Sequence, residues 1–169
     1  MPHSTVNLAI EAVRHFLTTG KPLARPENLD NEFNEKFAVF VSIKENKSLR
    51  GCIGSITPKT SNLANEIILN AVKAATKDPR FPPISKLELS NLTFSVDVLT
   101  PLEAIEGLSE HDPKKYGLVV KHGSKSGLLL PDLEGVKTAE KQLEICKKKA
   151  GISASENVEL FRFEVKRYY

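Results

Sequence analysis

Apolar residues recur along this chain at two spacings, and the switches between them mark its elements. Val6, Ile10, Val13 and Leu17 repeat at helical spacing, which predicts a helix over about residues 5–18, with Ser4 as its cap and Gly20 as its stop. Residues 20–35, with Pro22, Pro26 and several Asn and Glu, read as a connector. Phe37, Val39, Val41 and Ile43 then alternate with smaller or polar residues, the period of a strand. Glu45 to Ser48 supplies a turn into a second strand through Cys52, so the two strands form a hairpin.

The next helix opens between Pro58 and Asn62 and runs to about Lys77. Leu63, Ile67, Ile68, Ala71, Val72 and Ala75 cover a broad face, so it should be deeply buried. It ends at Asp78-Pro79-Arg80-Phe81-Pro82-Pro83, where three prolines fix φ and bar helix for the residues before them. Leu92, Phe94, Val96 and Val98 mark an amphipathic strand. Leu118–Val120 and Leu128–Leu130 flank a polar stretch from His122 to Gly127, a second hairpin with a flexible tip. A last helix over about 137–150 gathers Val136, Ala139, Leu143, Cys146 and Ala150 on one side and stops at Gly151; a strand with Phe161, Phe163 and Val165 follows. Helices at separated points between hairpin-connected strands predict an α+β fold, a largely antiparallel sheet with flanking helices. No internal repeat is visible.

Length places residues 1–169 in one domain, with room for two subdomains, that buries roughly 70% of its unfolded surface. A net charge of +3 is too small to point to nucleic acid, and Lys147-Lys148-Lys149 is explained by cations favouring a helix C-terminus. Two cysteines, Cys52 and Cys146, lack the density of a disulfide scaffold. With no cationic-then-apolar leader and no run of 18 apolar residues, the expected location is the reducing cytoplasm.

Candidate chemistry concentrates in Leu49-Arg50-Gly51-Cys52-Ile53-Gly54. On an extended backbone Arg50, Cys52 and Gly54 share one face, while Leu49, Gly51 and Ile53 share the other. Glycine inside a strand marks a bulge or a close approach by another backbone or a ligand. Residues i and i+2 lie about 7 Å apart, so the Arg50 side chain can reach the thiol. Two readings of Cys52 stand side by side. In one, a nearby cation or helix N-terminus depresses its pKa and makes it a nucleophile. In the other it is a small hydrophobe, with Arg50 paired to a carboxylate.

Arg80 and Phe81 carry a second pair of readings. Arg80 is either a clamp for an anion or carboxylate, or it is bonded within a rigid connector whose Phe81 plugs the core. His111 and His122 read as solvated loop residues, which leaves Cys52 without an evident general base. Scattered Cys and His give no metal-ligand spacing, and no phosphate-cradling or dinucleotide glycine loop occurs, so neither metal nor cofactor is expected.

Leu49 to Gly54, Asp78 to Pro83, and Gly127-Leu128-Leu129-Leu130-Pro131 followed by the last helix and Leu160-Phe161-Arg162-Phe163 together resemble the AMMECR domain family, in order and spacing over nearly the whole chain. The resemblance is to the prokaryotic type, similar to protein A of the AmmeMemoRadiSam grouping. It implies two lobes with the Cys52 strand lining a cleft between them, and a Memo-type, extradiol-dioxygenase-like protein and a radical SAM enzyme as companions. Because the chain ends at Tyr169, such a partner is expected as a separate polypeptide. The resulting expectation is a cleft that binds a small molecule or modified peptide group through Arg50, Gly51, Gly54, Arg80 and Phe81, with thiol chemistry at Cys52 left open. The alternative is a non-catalytic interaction module for one of those partners, and a nucleic-acid factor ranks last.

Overall fold

The computed structural model describes every residue from Met1 to Tyr169. It is α+β, with three helices and two four-stranded sheets where one sheet was expected. The chain divides into two compact units: residues 1–98 with 166–169, and residues 99–165.

The first unit contains α1 (Ser4–Thr19), β1 (Ala38–Glu45), β2 (Ser48–Gly54), α2 (Leu63–Thr76), β3 (Leu92–Leu99) and the C-terminal strand Val165–Tyr168, which is β8 in chain order. Its sheet runs β2-β1-β3-β8, with β1 and β2 antiparallel. Asn46 and Lys47 turn the hairpin with φ of 49° and 68°, the left-handed pair that matches strand twist. The cap of α1 is the ring of His3, which accepts from the Thr5 N–H, and not Ser4. Gly20 stops the helix at φ 73°, as its position predicts. Val6 and Val13 are buried as expected, but Leu8, Ala9 and Ala12 share the inner face while Ile10 and Leu17 sit at its margin. The connector contains a short 3₁₀ turn, Asn31–Asn34, whose Phe33 is fully buried.

Helix α2 begins at Leu63 under the cap of Asn62, whose side chain accepts from the Asn65 N–H. Its fully buried Glu66 turns back on the loop before it. Oε2 accepts the Lys59 and Thr60 N–H groups at 2.9 and 2.8 Å, and Oε1 accepts from Asn70. A buried carboxylate with this many donors is a satisfied one.

The second unit contains β4 (Glu103–Ile105), β5 (Gly117–His122), β6 (Lys125–Leu129), α3 (Ala139–Ala150) and β7 (Glu159–Phe163), in the order β4-β7-β5-β6 with every pair antiparallel. The final strand of the sequence reading is therefore two strands in two sheets. They part at Glu164, whose N–H donates to Thr100 Oγ1 and whose carbonyl accepts the Thr100 N–H. His111 is buried rather than solvated, and its Nε2 meets the side-chain oxygen of Gln142, a polar residue with no exposure on the inner face of α3. Gln142 in turn donates to the Tyr116 carbonyl, tying that helix to the loop before β5.

A repeat invisible in the sequence is present in the topology. In each unit a hairpin leads into a helix and then a third strand that pairs with the hairpin's first strand: β1-β2-α2-β3 in one, β5-β6-α3-β7 in the other. Each helix lies on a glycine of the hairpin's second strand. A Cβ at Gly51 would come 2.2 Å from the Ala74 carbonyl oxygen, and one at Gly127 the same distance from the Cys146 carbonyl oxygen. Neither space admits a methyl group. Gly51→Ala and Gly127→Ala should each cost about 1–3 kcal/mol through forced helix displacement, read as a lowered denaturation midpoint. Gly123→Ala at the open hairpin tip should cost less than either.

Candidate functional site

The Cys52 strand is an edge strand, and one of its outward N–H groups is met by a side chain. Asp78 lies two residues past the end of α2, and its Oδ2 accepts the Cys52 N–H at 2.9 Å. The same carboxylate accepts the Arg80 N–H at 3.0 Å and holds the Arg80 guanidinium through Nε at 3.0 Å and Nη2 at 2.8 Å. These donors, with the guanidinium foremost, hold the Asp78 carboxyl well below the usual carboxylate range despite its burial. The Asp78 side chain is 2% exposed and that of Arg80 56%, so a buried carboxylate fixes an arginine that still faces solvent.

Arg50 does not lie free beside the thiol. Its Nε donates to Glu88, and Nη1 to the Pro82 carbonyl at 2.8 Å, which leaves the side chain 12% exposed and seats the proline-rich turn. Phe81 is half-buried with the Arg80 guanidinium 5.5 Å from its ring centre. The core plug of this turn is instead Ile84, 3% exposed and bonded through its N–H to the Ala75 carbonyl.

The glycines are accounted for by the protein's own packing. Gly51 faces α2, on the opposite side of the strand from Cys52. A Cβ at Gly54 would lie 2.3 Å from the Phe40 ring and 2.4 Å from the Val39 carbonyl oxygen.

Cys52 is half-buried, and the Ser42 hydroxyl opposite it on β1 donates to its sulfur at 3.2 Å. Burial pushes the thiol up from its ordinary value. The Ser42 bond and the Arg80 charge oppose that shift, while Asp97 and Asp78 add to it. The thiol is therefore protonated at neutral pH, so the environment does not supply the activation a nucleophile needs. Asp97, on β3 beyond Ser42, is 2% exposed and is held by Arg167 of β8 through bonds of 2.6 and 2.8 Å. Sequence reasoning missed Ser42, Asp78, Asp97 and Arg167. For Ser42 and Asp97 the signal was a polar residue on the face opposite the strand's apolar stripe, and for Asp78 an acid between a helix end and a proline; Arg167, in phase with Phe161, Phe163 and Val165, carried none.

Two of the three lysines in the basic run of α3 are occupied by their own unit. Lys147 donates to the Ala154 and Glu156 carbonyls and Lys149 to that of Leu128. Both cysteines are free, no group of three or more acidic, His or Cys side chains is placed to hold a metal ion, and no helix is long and apolar enough to cross a membrane.

The chain is thus an α+β protein of two ββαβ units, in which a carboxylate-locked arginine stands beside an edge-strand cysteine. The sequence model of the AMMECR1 family matches residues 6–168, and the chain belongs to that family. It is 47% identical to a protein of Thermotoga maritima, over 98% of this chain and 97% of that one. It is 48% identical to a Clostridium acetobutylicum protein over 96% of this chain, but spans only 35% of that relative's length. The crystal structure of an uncharacterised protein from Pyrococcus horikoshii superposes with a TM-score of 0.87 at 36% identity, covering 96% of this chain and 88% of that one.

Two outcomes follow from the site's electrostatics. Cys52 should alkylate faster than Cys146, which has no exposure and is pushed up to about 11 by burial. The Cys52 rate should still be climbing above pH 9, where an activated thiol would already have reached a plateau; rates measured from pH 6 to 10 distinguish the two. Asp78→Asn should cost about 1–3 kcal/mol near neutral pH. A carboxyl depressed by folding stabilises above its unfolded value of about 3.9 and loses that contribution as pH falls toward its folded value. Urea titrations of the wild type and Asp78→Asn should therefore converge in acid.

Proposed function

We propose that the strand face carrying Cys52 recognises a small molecule or modified peptide group, with Arg80 meeting an anionic or carboxylate part of it. The observation that carries this reading is the Asp78 carboxylate, which bonds the Cys52 backbone and clamps the guanidinium of a half-exposed arginine. An arginine held in this way loses little side-chain freedom on binding, which favours a planar anionic partner. The protonated thiol of Cys52 serves as a compact, weakly polar wall of the site. Covalent chemistry there would need a base or cation brought by the ligand or a partner. Arg50, Gly51 and Gly54 support the site by seating the proline-rich turn, α2 and Phe40, while Phe81 stands beside Arg80 as its neighbouring wall.

A second reading, a non-catalytic module that docks on a Memo-type or radical SAM partner, is favoured by one observation: the Clostridium relative carries the matching region within a much longer polypeptide. In that reading the same Arg80 face is the contact surface.

A thermal-shift panel of small carboxylates, phosphate esters and acylated or phosphorylated peptides, run on wild type and Arg80→Gln, tests the first reading. A hit lost in Arg80→Gln and retained when Lys147, Lys148 and Lys149 are all changed to Ala is the expected result. Loss in the lysine variant, with retention in Arg80→Gln and Cys52→Ser, would defeat it. Binding through the lysines would also fade steeply with salt, so the comparison is made at two salt concentrations. Co-purification with a Memo-type protein and with a radical SAM protein, using the same variants, tests the second reading.

A further inference from the structure

Two open sheets leave four edge strands, and the chain treats them differently. β8 and β4 are four and three residues long, short enough to give another strand little to pair with. β2, at seven residues, is met along its edge by the proline-rich turn. Asp78 accepts the Cys52 N–H there, and Arg50 holds the Pro82 carbonyl. Pro79, Pro82 and Pro83 carry no N–H, so this cover offers few donors of its own.

β6, at five residues, has a different arrangement. Across the Gly123-Ser124 turn, His122 and Lys125 form the closing hydrogen-bonded pair of the hairpin. Ser126 opposite Lys121 and Leu128 opposite Val119 therefore turn their N–H and C=O groups away from β5. Ser126 is exposed and Leu128 half-buried. Of those four outward groups the Leu128 carbonyl alone is met by a side chain: Lys149 Nζ of α3 donates to it at 2.9 Å.

We propose that the β6 edge is a pairing surface for the β6 edge of a second copy of this chain, held closed by Lys149. An antiparallel pair about a twofold axis at Gly127 sets Ser126 against Leu128 of the other copy, which satisfies all the outward groups of both strands. Lys125, the single charge on β6, then stands opposite Leu129 rather than opposite its own copy, and its Nζ already donates to the Gly151 carbonyl at 2.9 Å. What opposes pairing is Lys149. Each copy must break a charge-assisted bond and leave an ammonium at the seam without its acceptor. The surface is independent of the Arg80 face.

Sedimentation of the full chain from micromolar to millimolar concentration tests this. The wild type should stay monomeric. Lys149→Met keeps the stem and removes the ammonium. It should dimerise about a hundredfold more tightly than the wild type, about tenfold for each bond no longer broken. Lys148→Met, at an exposed neighbour, should behave as the wild type does. Ser126→Pro deletes one outward N–H and no bond to β5; added to Lys149→Met, it should restore the monomer, with melting curves showing that each variant is folded. Deuterium exchange reads the same edge without a proline, because the Ser126 and Leu128 amides should exchange more slowly in the Lys149→Met dimer than in the monomer. Lys149→Met no more associated than the wild type, an equal gain in Lys148→Met, or a dimer in which those two amides are not slowed would overturn the proposal.

Discussion

The contact on which the first unit depends is a helix carbonyl lying directly on a strand backbone. With no Cβ at Gly51, the Ala74 carbonyl of α2 settles to a height that any side chain there would prevent. That height fixes where α2 ends, and the end of α2 fixes Asp78. From that point the carboxylate reaches the Cys52 N–H on the open edge of β2 and the guanidinium of Arg80. An edge strand leaves backbone donors without partners. Here one of them is answered by a charge that also positions an arginine.

The second unit repeats this arrangement with different chemistry. Gly127 admits the Cys146 carbonyl of α3 as Gly51 admits that of Ala74, and both hairpins pair their first strand with the strand after the helix. The polar residues differ. Where the first unit has Glu66 satisfying loop amides from the inner side of α2, the second has Gln142 bridging His111 and the Tyr116 carbonyl. Both answer the same problem, a loop whose polar groups must be satisfied where it meets a buried helix face.

The candidate site is built from neutralised charges. Asp78 with Arg80, and Asp97 with Arg167, each join a buried carboxylate to a more exposed guanidinium. Such pairs add little net charge but give the arginines fixed directions. Cys52 lies within the field of this group, and burial outweighs the nearby cation in setting its protonation. Its surroundings thus lack the depressed pKa that nucleophilic attack by a thiol requires.

Local events were legible in the sequence: the three helices, the glycine stops of α1 and α3, the proline stop of α2, the two hairpins, and the opposite facing of Cys52 and Gly51. Each follows from the period of apolar residues or from what glycine and proline permit, and so needs no distant partner. What those residues meet depends on folding in three dimensions. Folding gave Arg50 to Glu88 and the proline carbonyls, buried His111 against Gln142, and divided the last apolar run between two sheets at Glu164. It also drew Ser42, Asp78 and Asp97 around Cys52, from positions up to 55 residues apart on the chain. Periodicity records which face of an element is buried, not what it is buried against. A thiol's pKa and an arginine's freedom depend on that second quantity, which exists only once the strands have paired and α2 has docked.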